Sequence, residues 1–528
     1  MSLAVRGIQE RVLVAVGLPV IAILTYTILI GVYRLYFHPL AKFPGPKINA
    51  ISPIPGILAL LRGRLPMENK KLHDIYGPVV RVSPNELSFN TSGAWNDIYG
   101  HRPGHANFHK SSIHVGAVDP LPNASTLTMA DDETHARQRR ALSHAFSQQA
   151  LMEQEDILLA YVNLFIKKLG EMCDRGEAFN LVNWYNFTTF DIIGDLAFGE
   201  SFGCLDKGMY GKRSIFYASK CSEDVADVPS TTGQFHEWVA LIYETVKAGA
   251  MEQATRRFAE PGSTIQNFLV NFIPKEKRAR RRDHLLWSQN KVLSSLHGHR
   301  RLENTKLQHK DFTWYILDQQ KRGAISQNEV IVNGALFIVA GSETTANELS
   351  GLTARLLKSP RVYTKLANEI RDAFKTEDDI TNDELAKLPY LAACLSEGLR
   401  IHPPLPTALM RQVPKNGDTI DGHWVPGGVH VGVGAWAATH SAANFKSPDE
   451  FVPERWIDKE WTGDDKKASQ PFSTGPRGCI GKQLLWHFDI VSSDGAPQWS
   501  PEGEMQYMKA YNTWEKPELN VTLKRVQR

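Results

Sequence analysis

One cysteine near the C-terminus sits among residues suited to metal chemistry: Phe472-Ser473-Thr474-Gly475-Pro476-Arg477-Gly478-Cys479-Ile480-Gly481. Three glycines and a proline predict a tight loop with exposed backbone N–H groups. Amide donors beside a sulfur favour thiolate over thiol. A thiolate is a strong, electron-donating axial ligand for haem iron. In such a loop Phe472 could shield the sulfur from water, and Arg477 could hold an anionic haem propionate. An inert cysteine in a turn is the ordinary alternative for any single Cys, and the ten-residue pattern argues against it. Cys173, Cys204, Cys221 and Cys394 are scattered. They form no Cys-x-x-Cys pair and no disulfide framework, so a reducing compartment is expected.

Long helices must position that loop. Ser326-Gln327-Asn328-Glu329 is a capping box, and the apolar-rich stretch behind it runs to Lys358, before Pro360. A helix over 327–358 would be about 48 Å long, enough to cross a domain. Thr381-Asn382-Asp383-Glu384 is a second box, and a further helix is predicted from Tyr390 to His402, ending at Pro403-Pro404. Strand signals are short, at Val79–Val82 and His430–Val433. The fold class is therefore mostly α with minor β.

Composition narrows the function classes. The 528 residues are 42% apolar and 22% charged, values of a globular chain. Sixty basic against 57 acidic residues leave a net charge of +3, so no nucleic-acid partner is expected. The run Lys275–Arg282 (KEKRARRR) reads as a solvated helical face. Val12–Tyr33 carries no charge and would rise about 33 Å as a helix, enough to span a hydrocarbon core. Pro19 is tolerated in such a span. The expected organisation is a tail over 1–11, a single transmembrane anchor over 12–33, a stiff proline-rich hinge over 34–49 and one catalytic domain over 50–528. The sequons at Asn90, Asn123, Asn186 and Asn520 matter only if that domain is luminal.

The cysteine loop resembles the haem-binding signature of the cytochrome P-450 family, Phe-x-x-Gly-x-Arg-x-Cys-x-Gly, at every fixed position. Ala340-Gly341-Ser342-Glu343-Thr344-Thr345, Glu397-Gly398-Leu399-Arg400 and Phe451-Val452-Pro453-Glu454-Arg455-Trp456 resemble three further family motifs, in the family's order. Arg34–Leu40 and Leu142–Ser147 resemble fungal secondary-metabolite members. The resemblance implies the cytochrome P-450 fold behind the anchor, haem b as cofactor and Cys479 as the iron's axial ligand. It implies that Glu343 and Thr344 relay protons to dioxygen at the haem, and that Gly341 leaves room for dioxygen and substrate. Glu397, Arg400 and Arg455 would form a structural ion cluster. Arg139, with His135 where the family commonly has Trp, would contact the propionates, as would Arg411.

One segment departs from the family. After Gly481 the chain passes through Lys482-Gln483 to Leu484-Leu485-Trp486-His487-Phe488-Asp489, which resembles the end of the family's next helix and the strand beyond it. About a dozen residues of that helix, or about 18 Å, are missing. Two explanations compete: a misplaced splice junction in the gene model, or a real chain with a damaged haem pocket.

The resulting expectation is a monooxygenase that inserts one oxygen atom of dioxygen into a lipophilic terpenoid, polyketide or alkaloid. Its electrons would come from NADPH through a separate reductase. The expected location is the endoplasmic reticulum membrane, single-pass, with a cytosolic catalytic domain. Phe337, Ala340 and Leu405–Ala408 are the expected pocket lining. The rivals are a haem-thiolate isomerase or dehydratase, and a haem-deficient, membrane-tethered remnant.

Overall fold

The computed structural model describes residues 3–176, 178–207, 237–302, 311–376, 379–479, 499, 506 and 508–523. Its axis is the helix Gln327–Lys358. The capping box is present in both directions: Ser326 Oγ accepts from the Glu329 amide at 3.2 Å, and Glu329 accepts from the Ser326 amide at 2.8 Å. The helix ends where Pro360 opens the next one, Pro360–Ala373. Residues 330–339 are buried throughout and pack on the helix Leu181–Phe198, itself almost wholly buried. These two helices and Glu155–Arg175 build the larger apolar core.

The minor β part is a five-stranded sheet. Its strands are β1 (Val79–Ser83), β2 (Glu86–Phe89), β3 (His109–Lys110), β4 (Arg411–Gln412) and β5 (His430–Val433), in the order β1-β2-β5-β4-β3. Both segments with strand signals are strands, but β2 lies between them. It pairs antiparallel to β1, with Val79 opposite Phe89, and parallel to β5, with Leu87 opposite Val431. β2 and β5 are buried at every position and anchor a second core cluster.

The N-terminal apolar run lies in one helix, Leu3–Val32, which contains Pro19. The stretch Gly17–Phe37 has a mean hydropathy of 1.8 and is only 6% buried, so it is a candidate membrane span. The proline-rich segment after it differs from a free hinge. Leu40 and Phe43 are buried in the sheet's cluster, Arg81 Nη1 donates to the Arg34 carbonyl at 2.8 Å, and the Arg81 amide donates to the Pro44 carbonyl at 2.8 Å. The prolines stiffen a segment that is docked on β1.

The basic run is only partly a solvated face. It opens the helix Lys275–Leu302 with half of its residues exposed, but Lys277 pairs with Glu244, and Arg281 is 6% exposed and pairs with Asp119 at 2.6 Å. One turn on, His284 is fully buried, with Nε2 3.2 Å from the Ala335 carbonyl of the central helix. Burial, with a smaller contribution from Arg281, holds this imidazole down at about 4, so it is neutral in the folded chain. An unfolded histidine binds its proton near 6.5, so folding must exclude that proton below this pH. The stabilisation is complete above about 6.5 and falls by up to about 3 kcal/mol as pH drops towards 4. His284→Gln should give a shallower loss of stability across that window, read by urea unfolding at pH 7 and pH 5. An unchanged slope would reject this assignment.

Candidate haem-thiolate site

The cysteine loop is closed by its own backbone. The Cys479 amide donates to the Phe472 carbonyl at 2.8 Å and the Gly478 amide to the Gly475 carbonyl at 3.0 Å. Those two N–H groups therefore close the turn and are not directed at the sulfur. The amides from Ile480 onward, and the whole shortened segment, lie outside the described residues. Gly475 has φ +72°, and a Cβ there would stand 2.0 Å from the Tyr99 carbonyl, so no other residue fits between loop and helix Ser92–Tyr99. Cys479 is exposed and Phe472 is half-buried beside it.

The helix Asp132–Ser143 braces this loop. Arg139 donates to the Gly478 carbonyl at 2.7 Å, and Arg477 donates to Asp132 and to the Ala130 carbonyl, both at 2.8 Å. Burial lowers the Arg139 guanidinium, and a thiolate at Cys479 would act on it in the opposite sense. The brace is tied to the central helix through the capping residue. Arg137 and Gln138 both donate to Glu329, at 2.5 Å and 3.0 Å. Burial works against that charged carboxylate, but Arg137, the Ser326 amide and Gln138 outweigh it and hold Glu329 at about 2.

Cationic groups converge beside the loop. Arg411 is 3% exposed, with its guanidinium 5.1 Å from the Tyr99 ring. Burial, and to a lesser degree Arg477, pushes it down to about 10. Desolvation lowers Lys110 well below the usual lysine range, with Arg411 and Arg477 adding to it. His114 is lowered by the same desolvation and by Lys110 and Arg411. His135, buried, is held at about 4 by burial, then by Arg477 and Arg139. Arg477 Nη1 is buried with no hydrogen-bond partner among the described residues. These basic groups disfavour one another's charge, and with the orphaned guanidinium N–H they form a cradle that calls for anions, which the two carboxylates of haem would supply. The donor set therefore fits haem. Lys110 and His114 were missed from sequence because they lie on and beside β3, with no motif around them. Only the sheet's order brings them to Arg411.

The central helix is locally exposed at the Ala340–Thr345 motif. Ala340 is exposed on an otherwise buried stretch, and Thr344, four residues on, is half-buried with its hydroxyl donating to the Ala340 carbonyl at 2.6 Å. Glu343 is 3% exposed and accepts from Lys516 Nζ at 3.2 Å. Lys516 also donates to Asn186 at 2.9 Å, and burial lowers its ammonium against the opposing pull of Glu343. Tyr243, pushed well above its usual range by burial and then by Glu343, completes the group. Sequence reading missed Lys516 and Tyr243, which join Glu343 from distant segments.

Two expectations need correction. A Cβ on Gly341 would meet Ile193 at 2.7 Å, so this glycine admits the helix Leu181–Phe198 and does not face the opening. Phe337 is core: its ring lies 5.4 Å from Phe146 and 6.1 Å from Phe312.

The structure brings the three residues of the ion cluster together. Glu397, Arg400 and Arg455 are fully buried, with Glu397 2.8 Å from Arg400 and 2.9 Å from Arg455. Asp464 pairs with Arg455 from the other side.

The family model for Cytochrome P450 matches residues 46–484. The chain belongs to the cytochrome P450 family. It is 39% identical, over 100% of both chains, to the cytochrome P450 monooxygenase aba2 of Botryotinia fuckeliana. It is 41% identical to ABA2 of Pyricularia oryzae over 96% of each, and 38% identical to astA of Talaromyces wortmannii over 98% of each. The protein is thus a P450 monooxygenase, an oxidoreductase whose cofactor is haem iron and whose family works with a reductase, dioxygen and substrate. The family match ends five residues beyond Cys479, within the segment identified above as shortened.

Proposed function

We propose that this P450 oxidises a neutral or weakly polar lipophile, by hydroxylation or a related oxygen insertion, in fungal secondary metabolism. Electrons would come from NADPH through a membrane-bound reductase, with the chain anchored by residues 12–33 in the endoplasmic reticulum and residues 50–528 facing the cytosol. Several observations favour a lipid surface. Ile265, Phe268 and Phe272 are exposed at 59%, 61% and 71% immediately before the basic start of helix Lys275–Leu302.

A single observation carries the reading. The Cys479 loop is braced by Arg139 and Arg477 beside a cradle of cations, and the chain also keeps an opening at Ala340 and Thr344 on its central helix. When bound, haem supplies the iron that activates dioxygen. Cys479 would hold its iron through sulfur, donating electron density. Arg139, Arg411, Arg477, His135, Lys110 and His114 would hold its propionates. Thr344 would orient a proton at its hydroxyl, and Glu343, paired with Lys516, would pass protons to that position. Keeping Glu343 and Thr344 together favours oxygen chemistry over isomerisation or dehydration, which need no such relay.

Microsomes expressing the chain should give a strongly red-shifted Soret band when reduced and exposed to carbon monoxide. Turnover should depend on both NADPH and reductase. A band typical of nitrogen-ligated or free haem, or no band, would reject the reading, and sequencing the transcript across 478–489 would then separate a splice error from a damaged pocket. Turnover without NADPH would favour the isomerase reading. Glu343→Gln should lower kcat about a hundredfold with little change in KM, because the residue acts on protons and not on substrate. Equal kcat would remove Glu343 from the relay.

A further inference from the structure

A cavity of about 160 Å³ lies between the sheet and the helix Glu237–Phe258. Thr407 and Ala408, from the segment after helix Pro389–Ile401, line it together with Leu87. It therefore reaches the stretch expected from sequence to border the substrate. Two side chains one turn apart on the long helix face it, Gln253 and Arg257.

Both are deeply buried. Gln253 is 4% exposed and its side chain lines the cavity. Arg257 has a side chain 6% exposed; its Nε donates to Glu86 at 3.1 Å, while its Nη1 is buried with no partner among the described residues. Buried N–H groups without acceptors are rare and disfavoured, and they mark a place where an acceptor is to arrive. The sign of the charge limits what that acceptor is. Glu86 already neutralises Arg257, and Glu68, also on the wall, pairs with Lys71 at 3.0 Å. The cavity holds no uncompensated positive charge to favour a carboxylate.

We infer that Gln253 and Arg257 form a specificity subsite that accepts a neutral oxygen, a carbonyl or hydroxyl, on the part of the lipophilic substrate remote from the haem. This rests on the monooxygenase reading for the identity of the occupant as substrate. Its physical content, a preference for a neutral oxygen over a hydrocarbon or an acid, does not require haem chemistry.

The test is equilibrium dialysis of the full chain in lipid nanodiscs against 2-octanone, octane and octanoate. Retention by empty nanodiscs of the same lipid is subtracted for each compound, so partition into the bilayer cancels both between compounds and between variants. Wild type should retain the ketone in preference to both others. Gln253→Leu, which removes the amide and leaves every charge in place, should weaken the ketone about tenfold and leave octane unchanged. Arg257→Gln combined with Glu86→Gln removes both charges together and should weaken the ketone similarly, which guards against a single variant that fails to fold. No preference for the ketone in wild type, including binding of none of the three, overturns the inference. So does tighter binding of octanoate, or an equal loss of ketone and octane in Gln253→Leu. The carbon-monoxide spectrum of the same samples is read separately. A chain with the ketone preference and no thiolate band would reject the monooxygenase reading alone, and the converse would reject the subsite alone.

Discussion

Cys479→Ser is expected to abolish the red-shifted carbon-monoxide band and to lower turnover about a hundredfold or more, while stability stays within about 1 kcal/mol of wild type. The reason is a separation between the loop's shape and its chemistry. Its closure uses the Cys479 amide to the Phe472 carbonyl and the Gly478 amide to the Gly475 carbonyl. Its docking uses Arg139 on the Gly478 carbonyl and Arg477 on Asp132. None of these contacts involves the sulfur. A serine can therefore occupy the loop, but its hydroxyl stays protonated at neutral pH and donates far less electron density to iron. Cys394→Ser, at a fully buried position in helix Pro389–Ile401, is the control and should keep the band. A retained band in Cys479→Ser, or turnover within a few fold of wild type, would remove Cys479 from the role proposed for it.

Glu397→Ala should cost about 3–5 kcal/mol of stability, the largest folding effect expected of any single substitution outside the apolar core. Oε1 of Glu397 accepts from Arg400 at 2.8 Å, Arg455 at 2.9 Å and the Val452 amide at 3.0 Å. Oε2 accepts from Arg400 at 2.8 Å and Trp456 at 3.0 Å. Truncation leaves the two guanidinium groups unequal. Arg455 keeps the carboxylate of Asp464. Among the described residues Arg400 keeps the carbonyls of Thr439, Pro448 and Glu450 and the face of the Phe445 ring, and its charge is left buried without a counter-ion. Arg400→Ala should accordingly be milder than Glu397→Ala. Urea unfolding of the three proteins measures this order, and a loss below about 1 kcal/mol for Glu397→Ala would show that the cluster does not hold the segment from Val452 to Trp456.

Much of this architecture was legible because its signals are local. Ser326 and Glu329 cap one another three residues apart, so the central helix begins where the sequence said it would. Pro360 ends it for an equally local reason, having no N–H to continue the ladder. The helix at Pro389–Ile401 falls one residue from the expected bounds, between two proline signals. The cysteine loop, the ion cluster and the acid–threonine pair were visible as motifs because each packs several demanding residues into a short stretch.

Partnerships between distant segments were decided by the tertiary structure. Nothing beside Lys516 marks it as the cation of Glu343, yet the two are 3.2 Å apart across 173 residues of chain. Lys110 and His114 become part of a cationic cradle because β3 pairs with β4, where Arg411 stands opposite Lys110. Gly341 looked like space for dioxygen, but the direction of its missing side chain depends on how two helices rotate against each other, and it admits Ile193. Phe337 shared a helix with the opening and turned into the core for the same reason. The sequence by itself determined which residue types the chemistry needs and which short segments carry them, because propensity, capping and motif spacing act over a few residues. Tertiary packing alone decided which side chains meet, because burial and charge pairing act between elements whose order in space no local pattern records.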